Sequence, residues 1–232
     1  MNETDAGGRW SVLPMLLDSV VYPDWHPRFG EVGPVYSYVL RNESKLVLVD
    51  TGIGPAHPLI DRLYSPTRRD LRMALRENHS GVSPEGIDAV VLSHLHFDHV
   101  GGAFEFPGKP LYVQRSEWDA AQAAKYTVPE FLTFPNANFV MVDGDMELEP
   151  GIRLVLTQGH TPGHQAVVVS TADGLVILAG QAIETTRELA EMQRSGNLSP
   201  AAQQLLDLDP ARIWFSHDHD CWEPAEVSEV QR

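Results

Sequence analysis

Ser93-His94-Leu95-His96-Phe97-Asp98-His99-Val100-Gly101-Gly102 packs three imidazoles and a carboxylate into the six residues from His94 to His99. Just before it, Ile87 to Leu92 is a continuous apolar run, the pattern of a short buried strand. In extended chain, residues two apart point to the same side, so His94 and His96 can grip one metal ion. A turn after Phe97 sends Asp98 and His99 in a different direction, towards a second ion. Imidazole and carboxylate suit zinc, and also iron, cobalt or manganese. Gly101-Gly102 permits the tight turn and close backbone approach that such a site needs. Packing gains nothing from burying this much imidazole, and a solvated loop has no reason to repeat it. A metal centre is the expectation.

Outward from this stretch, strands alternate with helices. Tyr36 to Leu40 and Lys45 to Val49 are β-rich runs separated by Arg41-Asn42-Glu43-Ser44, which reads as a hairpin. The second run ends at Asp50-Thr51-Gly52-Ile53-Gly54, where glycines let the chain turn sharply. Pro58 to Glu77 has helical spacing with a break at Pro66. Ser116 caps a predicted helix to about Ala124, with Glu117 in its first turn. Leu154 to Leu156, Ala166 to Val169 and Leu175 to Leu178 read as strands. Ser199-Pro200 starts a helix to about Leu206, and Ile213 to Phe215 is a last strand leading into His217. Each candidate ligand therefore follows the C-terminal end of a strand, where loops on a rigid sheet usually carry function.

Composition bounds the rest. The 232 residues suit one α/β domain over 1–232, with 1–9 a flexible lead, and no Pro/Gly/Ser linker divides them. No apolar run approaches the roughly 20 residues of a transmembrane helix, and the polar, acidic start lacks a signal-peptide pattern, so none is expected. The single cysteine, Cys221, excludes an intrachain disulfide and fits a reducing compartment, so the expected location is cytoplasmic. A net charge of −15 repels nucleic-acid phosphates and anionic lipid, which argues against both as partners. Arg68, Arg69 and Arg72 read as a solvated helix face rather than a binding patch. The expected partner is a small, neutral or apolar substrate. Trp118, Tyr126, Phe131 and Phe134 fall between Tyr112 and Phe139, where core packing, a pocket wall and a homodimer contact are all open uses.

The motif His94-x-His96-x-Asp98-His99 resembles that of the metallo-β-lactamase superfamily. Supporting segments follow in the order expected for that family: Leu48-Val49-Asp50-Thr51-Gly52, then Gly159-His160-Thr161-Pro162-Gly163-His164, then Phe215-Ser216-His217-Asp218. The stretch from Leu148-Glu149-Pro150-Gly151-Ile152 through Gly163-His164-Gln165, and Ser93 to His99, are similar to the N-acyl-homoserine-lactone lactonase branch. The resemblance implies an αββα sandwich with metals at one edge. It implies one ion on His94, His96 and His160 and a second on Asp98, His99 and His217, with zinc the first candidate metal. Asp50 and His164 would support the ligands from behind, and Asp98 would also serve as the catalytic proton acceptor. His26, His57 and His79 read as ordinary surface residues, and His219 as no ligand.

Two positions depart from the family pattern. Gln181 stands where the family usually has an Asp that bridges the metals, and an amide is a neutral, weaker ligand. One or two ions are therefore open. Glu184 stands where lactonases of this branch often carry a Tyr that donates to the substrate carbonyl, a role closed to an ionised carboxylate. Two readings of Glu184 stay open: a charge that reaches the metals and replaces the one lost at Gln181, or a first-turn helix residue favoured by the helix dipole. The expected chemistry is attack on a lactone or related ester by hydroxide from a metal-activated water. Thioester or specialised-metabolite hydrolysis, chemistry at iron, and a non-catalytic metal-binding module are the alternatives.

Overall fold

The expected hairpin forms as β2 (Val32–Arg41) and β3 (Leu46–Val49), paired antiparallel, in the computed structural model, which describes residues 9–78 and 82–224. Asn42 closes it by accepting the Ser44 and Lys45 amides on its side-chain oxygen. Ahead of it runs β1 (Ser11–Val21), which has no counterpart in the sequence reading. Pro14 and a bulge between Leu16 and Asp18 break its alternation. β1 lies at a sheet edge, where a missing proline N–H is tolerated.

The first sheet continues through β4 (Ala89–Val91), β5 (Leu111–Gln114) and β6 (Phe139–Val142), giving the order β1-β2-β3-β4-β5-β6 with β3 to β6 parallel. The second comprises β7 (Met146–Glu149), β8 (Ile152–Leu156), β9 (Gln165–Thr171), β10 (Gly174–Leu178), β11 (Arg212–Trp214) and β12 (Cys221–Trp222), in the order β12-β11-β10-β9-β8-β7.

Period-two alternation builds the layers. Val47 and Val49 face inwards and share a core with Val167, Val169 and Leu178 of the other sheet. Leu48 and Val90 face outwards onto Leu71 and Leu75. Val168 and Ile177 face outwards onto Leu189 and Leu205. Helices thus cover both outer faces, and the result is the four-layer αββα sandwich that the resemblance implies.

α1 (Pro58–Tyr64) and α2 (Leu71–Asn78) flank Pro66, and the chain breaks at Ser65, whose φ is 40°. α3 (Phe97–Val100) lies inside the histidine motif. α4 (Arg115–Ala121) begins one residue before Ser116, so that serine is inside the helix and does not cap it. α5 (Thr186–Ser195) and α6 (Pro200–Leu206) cover the second sheet, and Ser199 caps α6 by accepting the Ala202 amide at 3.1 Å. Arg72 lies in α2 but Arg68 and Arg69 precede it in the loop after α1, so the three do not form one helix face; each pairs with a carboxylate. Among the described residues no helix is long and apolar enough to cross a membrane. Residues 1–8 of the expected lead, and His79, lie outside the described residues.

Candidate metal centre

β4 delivers the chain to the site, and the loop beyond it is locked against the turn that follows β3. The Thr51 amide and hydroxyl both donate to the His99 carbonyl at 2.8 Å, and the Gly101 amide donates to the Gly52 carbonyl at 2.9 Å. The backbones touch so closely that a Cβ on Gly101 would lie 2.1 Å from the Ile53 carbonyl oxygen. The close approach read from Gly101-Gly102 is therefore real.

Within this frame six side chains form two triads. The donor atoms of His94, His96 and His160, and separately those of Asp98, His99 and His217, lie within 4.8 Å of one another. In the first, His94 Nε2 and His160 Nε2 stand 3.0 and 3.1 Å from His96 Nδ1. In the second, Asp98 Oδ2 stands 3.7 Å from His99 Nε2 and 3.5 Å from His217 Nε2. Nitrogen ligands of a tetrahedral zinc sit roughly 3.3 Å apart, so both clusters have the spacing of a ligand set.

Hydrogen bonds behind the rings decide which nitrogen faces inwards. His217 Nδ1 donates to the Pro34 carbonyl at 2.8 Å, and that oxygen can only accept. His99 Nδ1 donates to Asp50 Oδ2 at 2.7 Å. Asp50 also accepts the Ser93 amide and hydroxyl, both at 2.7 Å. With its proton on Asp50, Ser93 Oγ accepts from His94 Nδ1 at 3.1 Å. In all three rings Nε2 is thus turned into the site, the arrangement that a neighbouring carboxylate or carbonyl imposes on metal-binding histidines. Imidazole nitrogens and a carboxylate oxygen that converge at this spacing form a donor set that fits a divalent metal.

Burial opposes charge throughout, and neighbours decide the outcome. In the first triad, burial and adjacent imidazoles keep His94 well below its ordinary value and bring His160 down to about 3. For His99 burial also lowers the value, but the carboxylates of Asp50 and Asp98 outweigh it and bring it up to about 9. Asp98 is buried, yet His99, His217 and His96 hold it below the usual carboxylate range.

His164 joins neither triad. The Gln181 backbone N–H donates to its Nε2 at 2.9 Å, so Nδ1 carries the hydrogen and donates to Thr157 Oγ1 at 2.8 Å. His164 thus ties the loop after β10 to the end of β8. Gln181 Oε1 lies 3.1 Å from His99 Nε2. Glu184 also lies outside both triads, and it reaches them only as a nearby negative charge acting on His217. It precedes the Thr185 cap of α5, and its carboxylate meets Tyr22 and Arg28 instead. His219 is exposed and bonds Tyr36, His26 stacks on Tyr22 and is half-buried, and His57 precedes α1.

One residue at the centre escaped the sequence reading. Glu117 is fully buried, and its carboxylate accepts the Leu95 amide, the Thr161 hydroxyl, the Gly163 amide and the Tyr126 hydroxyl. It therefore fastens the loop of His94 and His96 to the loop of His160. The Tyr126 ring lies 5.2 Å from that of His96. Phe131 is buried, and Trp118 and Phe134 pack against the same core. A first-turn glutamate looks solvated in sequence, and only its four distant partners reveal its place.

A cavity of about 250 Å³ adjoins the first triad, lined by His160, Gln181, Glu184, Glu188 and Met192 among others. A larger one of about 420 Å³, between Trp10 and Trp214, is lined by none of the six candidate ligands.

The family model for the metallo-beta-lactamase superfamily matches residues 30–219. The chain belongs to this superfamily. Within it, an N-acyl homoserine lactonase of Bacillus cereus is 35% identical over 156 residues, which cover 62% of this chain and 62% of the relative. The match thus spans less than two-thirds of that relative's length. An N-acyl homoserine lactonase of Bacillus thuringiensis is 29% identical over 204 residues, covering 80% of this chain and 81% of the relative. The crystal structure of a quorum-quenching N-acyl homoserine lactone lactonase superposes with a TM-score of 0.71 at 25% identity, over 99% of this chain and 98% of that one. The superfamily fold and the implied sandwich agree.

Proposed function

We propose that this superfamily member is a metal-dependent hydrolase that opens a lactone or related ester, with N-acyl homoserine lactones the candidate substrates. The observation that carries the reading is the pair of triads with converging ligand atoms beside a substrate-sized cavity. The lactonase relatives favour the lactone over a thioester. His94, His96 and His160 would hold one ion, and Asp98, His99 and His217 a second, with zinc the metal that suits this donor set best. A bound divalent ion polarises an ester carbonyl and makes water acidic enough to give hydroxide near neutral pH.

The chain's own groups then have defined tasks. Asp50 and Pro34 hold His99 and His217 in the orientation that keeps Nε2 inwards. Asp98 can take the proton as the water oxygen bonds to the acyl carbon, and return it to the alkoxide released when the ring C–O bond breaks. The ring-opened product is a hydroxy acid. Both sheets contribute ligands, so we read the chain as one domain. The lone Cys221 supports a reducing, cytoplasmic setting, and a small molecule is the proposed partner.

Elemental analysis of protein purified without added metal, followed by proton release on adding a lactone panel, tests the reading. Bound zinc with lactone opening that a chelator abolishes supports it. A metal-loaded chain that opens no lactone or ester sinks it.

A further inference from the structure

The cavity beside the first triad has one wall whose polar groups are mostly engaged. Gln158 donates to the Pro162 carbonyl, Ser199 caps α6, and Glu188 accepts the Glu184 amide at 2.6 Å. Glu184 differs. Its Oε1 accepts the Tyr22 hydroxyl at 3.0 Å and lies 3.3 Å from Arg28 Nη1. Arg28 lies over the Tyr22 ring, 4.6 Å from its centroid. Oε2 has no hydrogen-bond partner among the described residues, and the side chain keeps 25% exposure on the cavity. Tyr22 and Arg28 therefore hold the carboxylate in place from behind through one oxygen and leave the other open. Ala182, Met192, Pro200 and Ala201 supply apolar surface on the same wall.

A carboxylate oxygen accepts and cannot donate. The ring and carbonyl oxygens of a lactone are acceptors too, so a bare lactone gives Glu184 only repulsion. A substrate suited to this wall must carry a donor close to the scissile carbonyl, together with carbon for the apolar patch. We propose that Glu184 is a specificity-determining acceptor that selects lactones bearing a secondary amide N–H on the carbon next to the lactone carbonyl. This rests on the lactonase reading and narrows it. Tyr22 and Arg28 are positioning residues that fix the rotamer of Glu184.

The experiment compares kcat/KM of the metal-loaded chain for an α-acylamino-γ-butyrolactone and for its analogue with CH2 in place of that N–H. The affinities of the two corresponding γ-lactams, which are not opened, are measured by calorimetry. The wild-type chain is expected to favour the N–H compound by about 10- to 100-fold in both readouts, the range of a hydrogen bond to a charged group. In Glu184→Ala the ratio falls to within about twofold, while bound metal per chain is unchanged. Glu184→Gln keeps an acceptor oxygen and retains part of the preference. It also reads the ratio if the alanine variant does not fold. A wild-type ratio near one, or a ratio that survives Glu184→Ala, overturns the proposal and leaves the lactonase reading standing. A metal-loaded chain that opens neither lactone overturns both.

Discussion

The two triads lie side by side and are built on opposite electrostatic plans. His94, His96 and His160 form an all-nitrogen cluster, and burial with mutual repulsion keeps its imidazoles neutral, His160 down to about 3. Asp98, His99 and His217 include an anion and rest on a further carboxylate, Asp50. In that cluster, despite burial, the carboxylates raise His99 to about 9. Without metal at neutral pH, the first cluster presents bare lone pairs, whereas the second carries a proton. With Nδ1 donating to Asp50, that proton sits on Nε2 and faces Gln181 Oε1 at 3.1 Å. The lesson is that ligand identity alone does not set readiness for metal. The charge immediately behind each ring does.

The largest expected effect comes from removing a ligand outright. His96→Ala should empty the first triad and lower turnover on the order of 10³-fold or more, since polarisation of the carbonyl is lost. Normal turnover in that variant, measured beside its metal content, would break the division into two sites. Next comes the support behind the second triad. Asp50→Ala leaves His99 without the partner that orients it and should weaken metal binding there by about 10- to 100-fold. Competition with a chromophoric chelator reads this, and equal weakening at both triads would show that Asp50 does not discriminate between them.

Glu117 sharpens the comparison from the other side. Glu117→Gln keeps the volume but replaces one acceptor oxygen by a donor, which then faces either the Leu95 amide or the Gly163 amide. A loss of about 1–3 kcal/mol in stability is expected, with first-triad affinity reduced more than second-triad affinity. Denaturant titration and metal competition separate the two effects. The smallest signal is the proton inventory. Filling the second triad at pH 7 should release about one proton and filling the first none, since His99 starts charged and His160 neutral. Calorimetry in two buffers of different ionisation enthalpy counts them. The sign for the metal-free fold follows from the same shift. The raised His99 value favours the folded state fully below its ordinary value of about 6.5, and this contribution is lost as pH climbs through about 9.

Local pattern carried much of the architecture. The hairpin at Asn42, the break at Pro66 and the Ser199-Pro200 helix start are all decided by neighbours in sequence, and all three form as read. β1 was illegible because its bulge and Pro14 break the alternation that marks a strand. Ser116 misled because any serine before an apolar stretch resembles a cap, whereas the helix begins as soon as β5 ends.

The sequence by itself determined which side chains are available for metal, that four of them follow one buried strand, and the superfamily they belong to. These rest on adjacency and period, which a linear chain displays directly. Only the tertiary structure decided what each of those side chains faces. Glu117 bridges two ligand loops, Pro34 fixes the ring of His217, and Glu184 is held by Tyr22 and Arg28 outside both triads. Those partners lie from 22 to 183 residues away along the chain. Contacts over such separations leave no periodic trace, because they exist only once the two sheets have packed.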